Sequence, residues 1–458
     1  MFRVLHCMTG LIPRSARGVP SALHRARARS PLRNLLLLLL ACALTTTAAA
    51  QASASGPPDS TIAMTGVFRA GKAHDIAIAP FRTPAGWSLI MADVQSDQLR
   101  LLAPIGRNTY TAGRELARPT PTEWTLRFTA GKGLTELVIE ESGTGQRFTA
   151  VRIPIETVPV QFHNGGVQLE GSLYLPSVRH SRLPLVALAH GSEDNDRYSF
   201  GPIPFVLASQ GYAVLAYDKR GTGASTGDWA SAGLEEYADD LVAGIVAISR
   251  RTEIDTARIA VLGVSEGGWV APIAASRSTA IKAVVAITGG ARTKGDAYVY
   301  KMRREAEAGG PSAAAVDSVV RAAEETVASS VRRATTGQSP SGFDRRIAYD
   351  PTQDWRRFRG PVLYMGGEAD VLESGMDAAL WFRRLFAESG NVDATIRLWP
   401  RAHHSLLLGV TGDPSEFRSL RGITQLAPGY WDVLLHWLDV HVRSAHSKGK
   451  AATSPRSP

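Results

Sequence analysis

An α/β architecture, a mostly parallel sheet clad in helices and preceded by a small antiparallel β domain, is the fold class this sequence predicts. Three observations predict it. Short apolar runs recur from residue 183 to residue 400 with helical periods between them, as strands buried on both faces require. Residues 57–155 alternate at period two, with no helical period. Between the two patterns stands a hairpin signal, Asn164-Gly165-Gly166, inside VPVQFHNGGVQLEGSLYLP (158–176).

Residues 1–50 read as a signal peptide. An arginine-rich stretch leads to the apolar run LLLLLLACAL (35–44) and then to small residues, where Ala48-Ala49-Ala50 and Ala50-Gln51-Ala52 both fit an A-x-A cut; Met8 is an alternative start. A permanent helical span needs about 20 apolar residues, so an uncleaved anchor is the lesser reading. LLAC (39–42) also resembles a bacterial lipobox, which would lipidate Cys42, although the apolar run ahead of it is short for one. The expected location is export, to the periplasm or beyond, with membrane attachment only through the leader or a lipid anchor at Cys42. Both cysteines, Cys7 and Cys42, fall in this leader, so the remainder forms no disulfide.

The charge follows the same division. Of the formal +9, seven arginines (Arg3, Arg14, Arg17, Arg25, Arg27, Arg29 and Arg33) lie in the acid-free leader, which leaves 44 basic against 42 acidic residues. Arg443, Lys448, Lys450 and Arg456 mark an acid-free C-terminal stretch, read as a disordered tail over 444–458. What remains is nearly neutral, which excludes a nucleic-acid footprint. The 44% hydrophobic content excludes general disorder and supplies a core for two domains.

The antiparallel domain (57–155) is carried by stretches such as WTLRFTA, with Trp124, Leu126 and Phe128 on one face, and by the turns TPAG, GRN and GKG. Trp124 reads as a core anchor. A catalytic domain over 156–443 follows, its strands expected at LPLVALAHG (183–191), GYAVLAYD (211–218), RIAVLGV (258–264), IKAVVAIT (281–288), GPVLYMGG (360–367) and ATIRLWP (394–400). After the sixth strand of that domain the alternation breaks. Residues about 291–352, rich in Ala, Arg and Glu, read as two exposed helices placed where a lid would sit, or as a solvated helical ornament.

The chemistry centres on GVSEGG (263–268), between a strand and a helix. Serine becomes a nucleophile when it is held exposed on a sharp turn beside a base, and glycines at 263 and 267 make room for that turn. Later strand ends supply the partners in order: Asp370 after PVLYMGGEAD to orient an imidazole, and His404 after ATIRLWPRAH as the base. Glu368 and His403 are the local competitors. The loop His190-Gly191-Ser192 is positioned to supply an oxyanion donor, so the Ser192 and Glu266 backbone N–H groups form the expected pair, with His190 as scaffold. Histidines and acids do not fall at metal-ligand spacings, so no metal is expected.

Four stretches, AHGSEDNDR (189–197), GYAVLAYDKRGTGASTGDW (211–229), RIAVLGVSEGGWVAP (258–272) and WPRAHHSLL (399–407), resemble the α/β-hydrolase superfamily over about residues 158–442. In particular they are similar to a bacterial serine esterase or prolyl-oligopeptidase-like group with a G-x-S-E-G-G elbow. The resemblance implies an α/β-hydrolase sheet and cleavage of esters or amides through an acyl-enzyme, with no cofactor. Such sequences often carry HGSGP where this one has HGSED, so Glu193 and Asp194 replace a glycine and a proline. Asp218 and Arg220 read as a loop-bracing pair. Glu266, with Glu193, Asp194 and Asp196, is either a solvated loop charge or part of an acidic rim for a substrate ammonium. The expected partner is a small ester or peptide: carboxylic ester hydrolysis leads, an aminopeptidase or dipeptidyl-peptidase activity is the alternative, and an acyltransferase or a non-catalytic binding protein stands behind both.

Overall fold

The computed structural model describes residues 56–444, apart from 84–85, 132, 311, 337–338, 392, 414–415, 417–419 and 421. The signal peptide expected at 1–50, the lipidation site at Cys42 and the tail from 445 lie outside the described residues.

The alternating region folds as eight antiparallel strands: β1 (Gly66–Ala70), β2 (His74–Thr83), β3 (Gly86–Asp93), β4 (Leu99–Gly106), β5 (Thr109–Glu115), β6 (Arg118–Gly131), β7 (Gly133–Glu141) and β8 (Arg147–Ile153). They close into a barrel, because β8 returns to pair with β1 in a register that sets Arg152 opposite Phe68. Period two predicts antiparallel strands but not closure. Closure leaves no edge to be capped, and it turns one face of every strand inward. Phe68, Ile76, Ile78, Leu89, Leu102, Leu126 and Phe128 fill the interior, the Phe128 ring standing edge-on to Phe68 at 5.7 Å and to Tyr110 at 5.9 Å. Trp124 is only partly buried, and the Arg100 guanidinium lies 4.8 Å above its ring.

A second sheet follows, in the order β16-β15-β14-β13-β11-β12-β10-β9, from β9 (Ile155–Asn164), β10 (Val167–Pro176), β11 (Leu183–Ala189), β12 (Ala213–Tyr217), β13 (Ile254–Val264), β14 (Ile281–Ile287), β15 (Val362–Gly367) and β16 (Ala394–Trp399). β9 and β10 form the expected hairpin about a Gly165 of φ 56°, β10 meets β12 antiparallel, and all later pairings are parallel. Every residue of β11, β12 and β15 is buried, which explains runs with no polar alternation. Helices α1 (Ile203–Ser209), α2 (Leu234–Ser249), α3 (Gly267–Arg277), α8 (Gly375–Ser389) and α9 (Tyr430–Leu438) belong to this unit.

The insert contributes α4 (Lys294–Ala308), α5 (Ala313–Thr335) and two short helices, α6 (Gly342–Ile347) and α7 (Thr352–Arg357). One and a half turns are too short to show a readable period, so the last two were not expected. Nor is α5 exposed all round: Val316, Val320, Ala323 and Ser330 are buried along one face. On α4, a Cβ at Gly295 would come within 2.7 Å of Val327, so glycine lets the two long helices close together.

Barrel and sheet are tied through the segment after the site histidine. Asp97, in the β3–β4 turn, accepts hydrogen bonds from Gly429 N at 2.6 Å and Trp431 N at 3.3 Å, capping α9, while Leu116 N donates to Ile423 O at 2.6 Å.

Candidate active site

Parallel strands end together, so the loops leaving β11, β13, β15 and β16 gather at one edge. The register makes this concrete: Ala189 pairs with Gly263, and Gly367 with Trp399. The glycines of GVSEGG answer to crowding at that edge. A Cβ on Gly263 would overlap the Gly267 carbonyl, and one on Gly267 would overlap the Ala189 carbonyl. Ser265 itself is turned to φ 55°, a strained left-handed conformation for a residue with a side chain. It is held there by Ser265 N donating to Ile287 O at 2.8 Å, with α3 starting two residues later.

His404 Nε2 lies 2.9 Å from Ser265 Oγ, and His404 Nδ1 lies 2.8 Å from Asp370 Oδ2. Because the ionised carboxylate only accepts, Nδ1 carries the proton and Nε2 accepts from the hydroxyl. Asp370 is 2% exposed, and its other oxygen accepts from Leu372 N at 2.8 Å and Glu373 N at 3.2 Å. The competitors are elsewhere. Glu368 is exposed. His403 is buried the other way, Nδ1 3.1 Å from Ala369 O and Nε2 3.2 Å from Glu416.

The loop after β11 comes close to the serine: a Cβ built on Gly191 would sit 3.5 Å from Ser265 Cβ. Glu193 has φ 72°, so this chain accepts there a backbone strain that a glycine would avoid. His190 is packed between Phe200 and Tyr217, at ring distances of 4.7 and 4.8 Å. Burial, with the Lys219 charge adding to it, pushes its imidazole down to about 3, so the ring is a neutral scaffold.

Glu266 departs from both readings of it. Its side chain is 4% exposed, so it is neither a solvated loop charge nor part of a rim with Glu193, Asp194 and Asp196. Lys219 Nζ lies 3.1 Å from Oε1, Lys294 Nζ 3.0 Å from Oε2, and Arg346 Nε 3.9 Å from Oε2. Burial opposes ionisation, but the three cations together hold the carboxyl well below the usual carboxylate range. Two of these cations come from the insert, which also reaches the acid loop, where Tyr300 Oη donates to Asp370 O at 2.9 Å.

The bracing pair is also exchanged. Asp218 accepts from Arg197 (Nη2 to Oδ2, 2.7 Å), and Arg220 pairs with Asp240 at 2.7 Å. Lys219, between them, is the residue that sequence reasoning passed over. Glu373 was missed as well: it is 6% exposed, its Oε2 has no hydrogen-bond partner among the described residues, and burial first, then the Asp370 charge, push its carboxyl far up. No group of three or more His, Cys, Asp or Glu able to hold a metal occurs among the described residues.

A mostly parallel sheet bearing a serine, an aspartate and a histidine in hydrogen-bonded series after β13, β15 and β16 defines a class. The chain belongs to the alpha/beta hydrolase family, whose sequence pattern matches residues 186–419. Among curated relatives, it is 31% identical over 133 residues to the hydrolase phmG of Phaeosphaeria nodorum, covering 26% of this chain and 29% of that one. It is likewise 31% identical over 137 residues to the uncharacterized protein PA2218 of Pseudomonas aeruginosa, covering 29% of this chain and 37% of the relative, so the chain spans well under half of either. Similar solved structures include the Pyrococcus furiosus esterase Pf2001 (TM-score 0.44, 18% identity, 63% of this chain and 92% of that one). Another is the Pyrococcus horikoshii acylaminoacyl peptidase (TM-score 0.44, 15% identity, 78% of this chain and 54% of that one).

Proposed function

We propose that this member of the family is an exported serine hydrolase that cleaves carboxylic esters through an acyl-enzyme on Ser265. The observation that carries the reading is the continuous hydrogen-bonded series from Asp370 through His404 to Ser265, at 2.8 and 2.9 Å. In the first half-reaction Ser265 Oγ bonds to the ester carbonyl carbon while His404 Nε2 takes the hydroxyl proton. The carbonyl oxygen becomes an oxyanion, facing the Ser192 and Glu266 N–H groups, neither of which donates to another group among the described residues. The tetrahedral carbon then expels the alcohol, which receives the proton from His404. Water repeats the sequence, releasing the acid and restoring Ser265. Asp370 keeps the imidazole in the required tautomer and offsets its charge while protonated.

Esters lead over aminoacyl amides because the acid that directly follows Ser265, Glu266, is occupied by three cations and does not offer itself to a substrate ammonium. Export rests on the leader alone. The test is a panel of p-nitrophenyl acyl esters beside aminoacyl p-nitroanilides, run on wild type and Ser265→Ala with fluorophosphonate labelling. Ester turnover and labelling that vanish in the variant support the reading; preferential anilide cleavage replaces esters with peptides, and an unlabelled wild type removes the serine mechanism.

A further inference from the structure

Lys219 has an environment that a solvent-seeking side chain does not acquire by chance. Its side chain is 3% exposed and its ammonium carries three protons. Three acceptors surround it: Gly191 O at 3.0 Å, Glu266 Oε1 at 3.1 Å and Glu193 O at 3.3 Å. The Tyr237 ring lies beneath at 4.1 Å. Burial lowers the pKa of this ammonium, and the Glu266 carboxylate opposes that loss.

The identity of the acceptors is what matters. Gly191 O belongs to the peptide unit that contains the Ser192 N–H, and Glu266 is the residue whose own N–H is the second donor of the proposed oxyanion site. In a trans peptide the carbonyl and the N–H aim in opposite directions. A cation fixed on Gly191 O therefore fixes the Ser192 N–H away from Lys219, and it draws electron density through the amide so that this N–H donates more strongly. Its third contact, Glu193 O, braces the residue at φ 72°, where a side chain stands in a conformation that glycine adopts freely.

We infer that Lys219 is a positioning residue that pre-organises the oxyanion site, clamping the loop 191–193 to Glu266 so that the two backbone donors are held at one point before substrate arrives. The inference rests on the serine hydrolase reading, which supplies the oxyanion. Pre-organised donors act on the transition state and the tetrahedral adduct rather than on ground-state binding. That signature separates positioning from plain structural support.

The experiment compares wild type, Lys219→Met and Lys294→Met for turnover of p-nitrophenyl butyrate, affinity for a trifluoromethyl ketone that forms a tetrahedral adduct on serine, and thermal melting. Lys294 shares Glu266 but has no hydrogen bond to residues 191–193 among the described residues. Removing Lys219 should lower kcat by about 30- to 100-fold with KM within about threefold, less than the roughly 100- to 1000-fold for deleting an oxyanion donor because the N–H itself remains. Analogue affinity should fall in parallel with kcat/KM. Lys294→Met should melt earlier yet keep analogue affinity within about threefold, because it removes charge without freeing the loop. A folded Lys219→Met with wild-type analogue affinity overturns the role, as does an equal loss in Lys294→Met. Lys219→Gln, which keeps one N–H for the Gly191 carbonyl, is read in the same way if Lys219→Met does not melt cooperatively, and should lose about tenfold. A wild type that fluorophosphonate does not label at Ser265 fails the hydrolase reading itself; a labelled wild type with unaffected Lys219 variants fails only this inference.

Discussion

Two buried glutamates flank the hydrogen-bonded series Asp370–His404–Ser265 and have opposite surroundings. Glu266, one residue beyond the serine, lies within 3.9 Å of three cations; Glu373, three residues beyond the aspartate, accepts among the described residues a bond from Ala291 N at 3.3 Å and faces the Asp370 charge. Both are almost inaccessible. Ionisation is therefore favoured at the first and opposed at the second. The difference teaches that burial alone does not set the state of an acid; what is buried with it does. It also shows how the insert acts on the site, since Lys294 and Arg346 belong to it.

The comparison breaks most readily at Glu266. Replacing it with Ala leaves three cations around an empty volume, and equilibrium urea unfolding at pH 7 should show a loss of about 3–5 kcal/mol, the range for stripping one partner from a buried ion pair. With its folded pKa depressed below the unfolded 4.5, the contribution of Glu266 is complete above that pH and is lost as pH falls toward the folded value. A loss under 1 kcal/mol would mean that the cations reach water.

Glu373 runs the other way. Its folded pKa is raised above the unfolded 4.5, so above that pH the unfolded chain releases a proton that the folded chain keeps, and stability falls as pH rises. Glu373→Gln has no proton to lose. Its stability should match wild type at pH 4 within about 0.5 kcal/mol and exceed it as pH rises past 4.5; urea midpoints that stay parallel through that rise contradict a carboxyl pushed up by burial.

The smallest effect should come from the half-exposed pair that joins the insert to α2. Arg345 contacts Glu236 and donates to Ser231 O at 2.7 Å, and its side chain is 33% exposed. Arg345→Ala should cost about 0.2–1 kcal/mol in the same unfolding assay, as surface pairs do. A cost equal to that of Glu266→Ala would show that the insert is held by its rim rather than by its buried charges.

Chain order and side-chain type were enough to name the hydroxyl, the imidazole and the carboxylate that meet, because each sits at the end of an apolar run whose direction is dictated by the parallel sheet. His404 was separable from His403 by spacing from Pro400, and the two rings do point to different partners. The pairing of charges was not readable in the same way. Asp218 and Arg220 look like partners in YDKRG, yet each finds another residue, 21 and 20 positions away. The acidic residues near Ser265 look in the sequence like one rim, yet Glu266 is drawn inside.

Local pattern and backbone sterics govern the strands of the second sheet, their order along the chain, the elbow and the three residues in series, so these are legible from residue order. Only the tertiary structure decided that eight strands close into a barrel, that insert cations reach Glu266, and that Lys219 lies against the Gly191 carbonyl. The physical reason is range. Periodicity and turn chemistry act over a few neighbouring residues, whereas an ion pair or a closed barrel depends on which distant segments share the same buried space, and no local pattern records that.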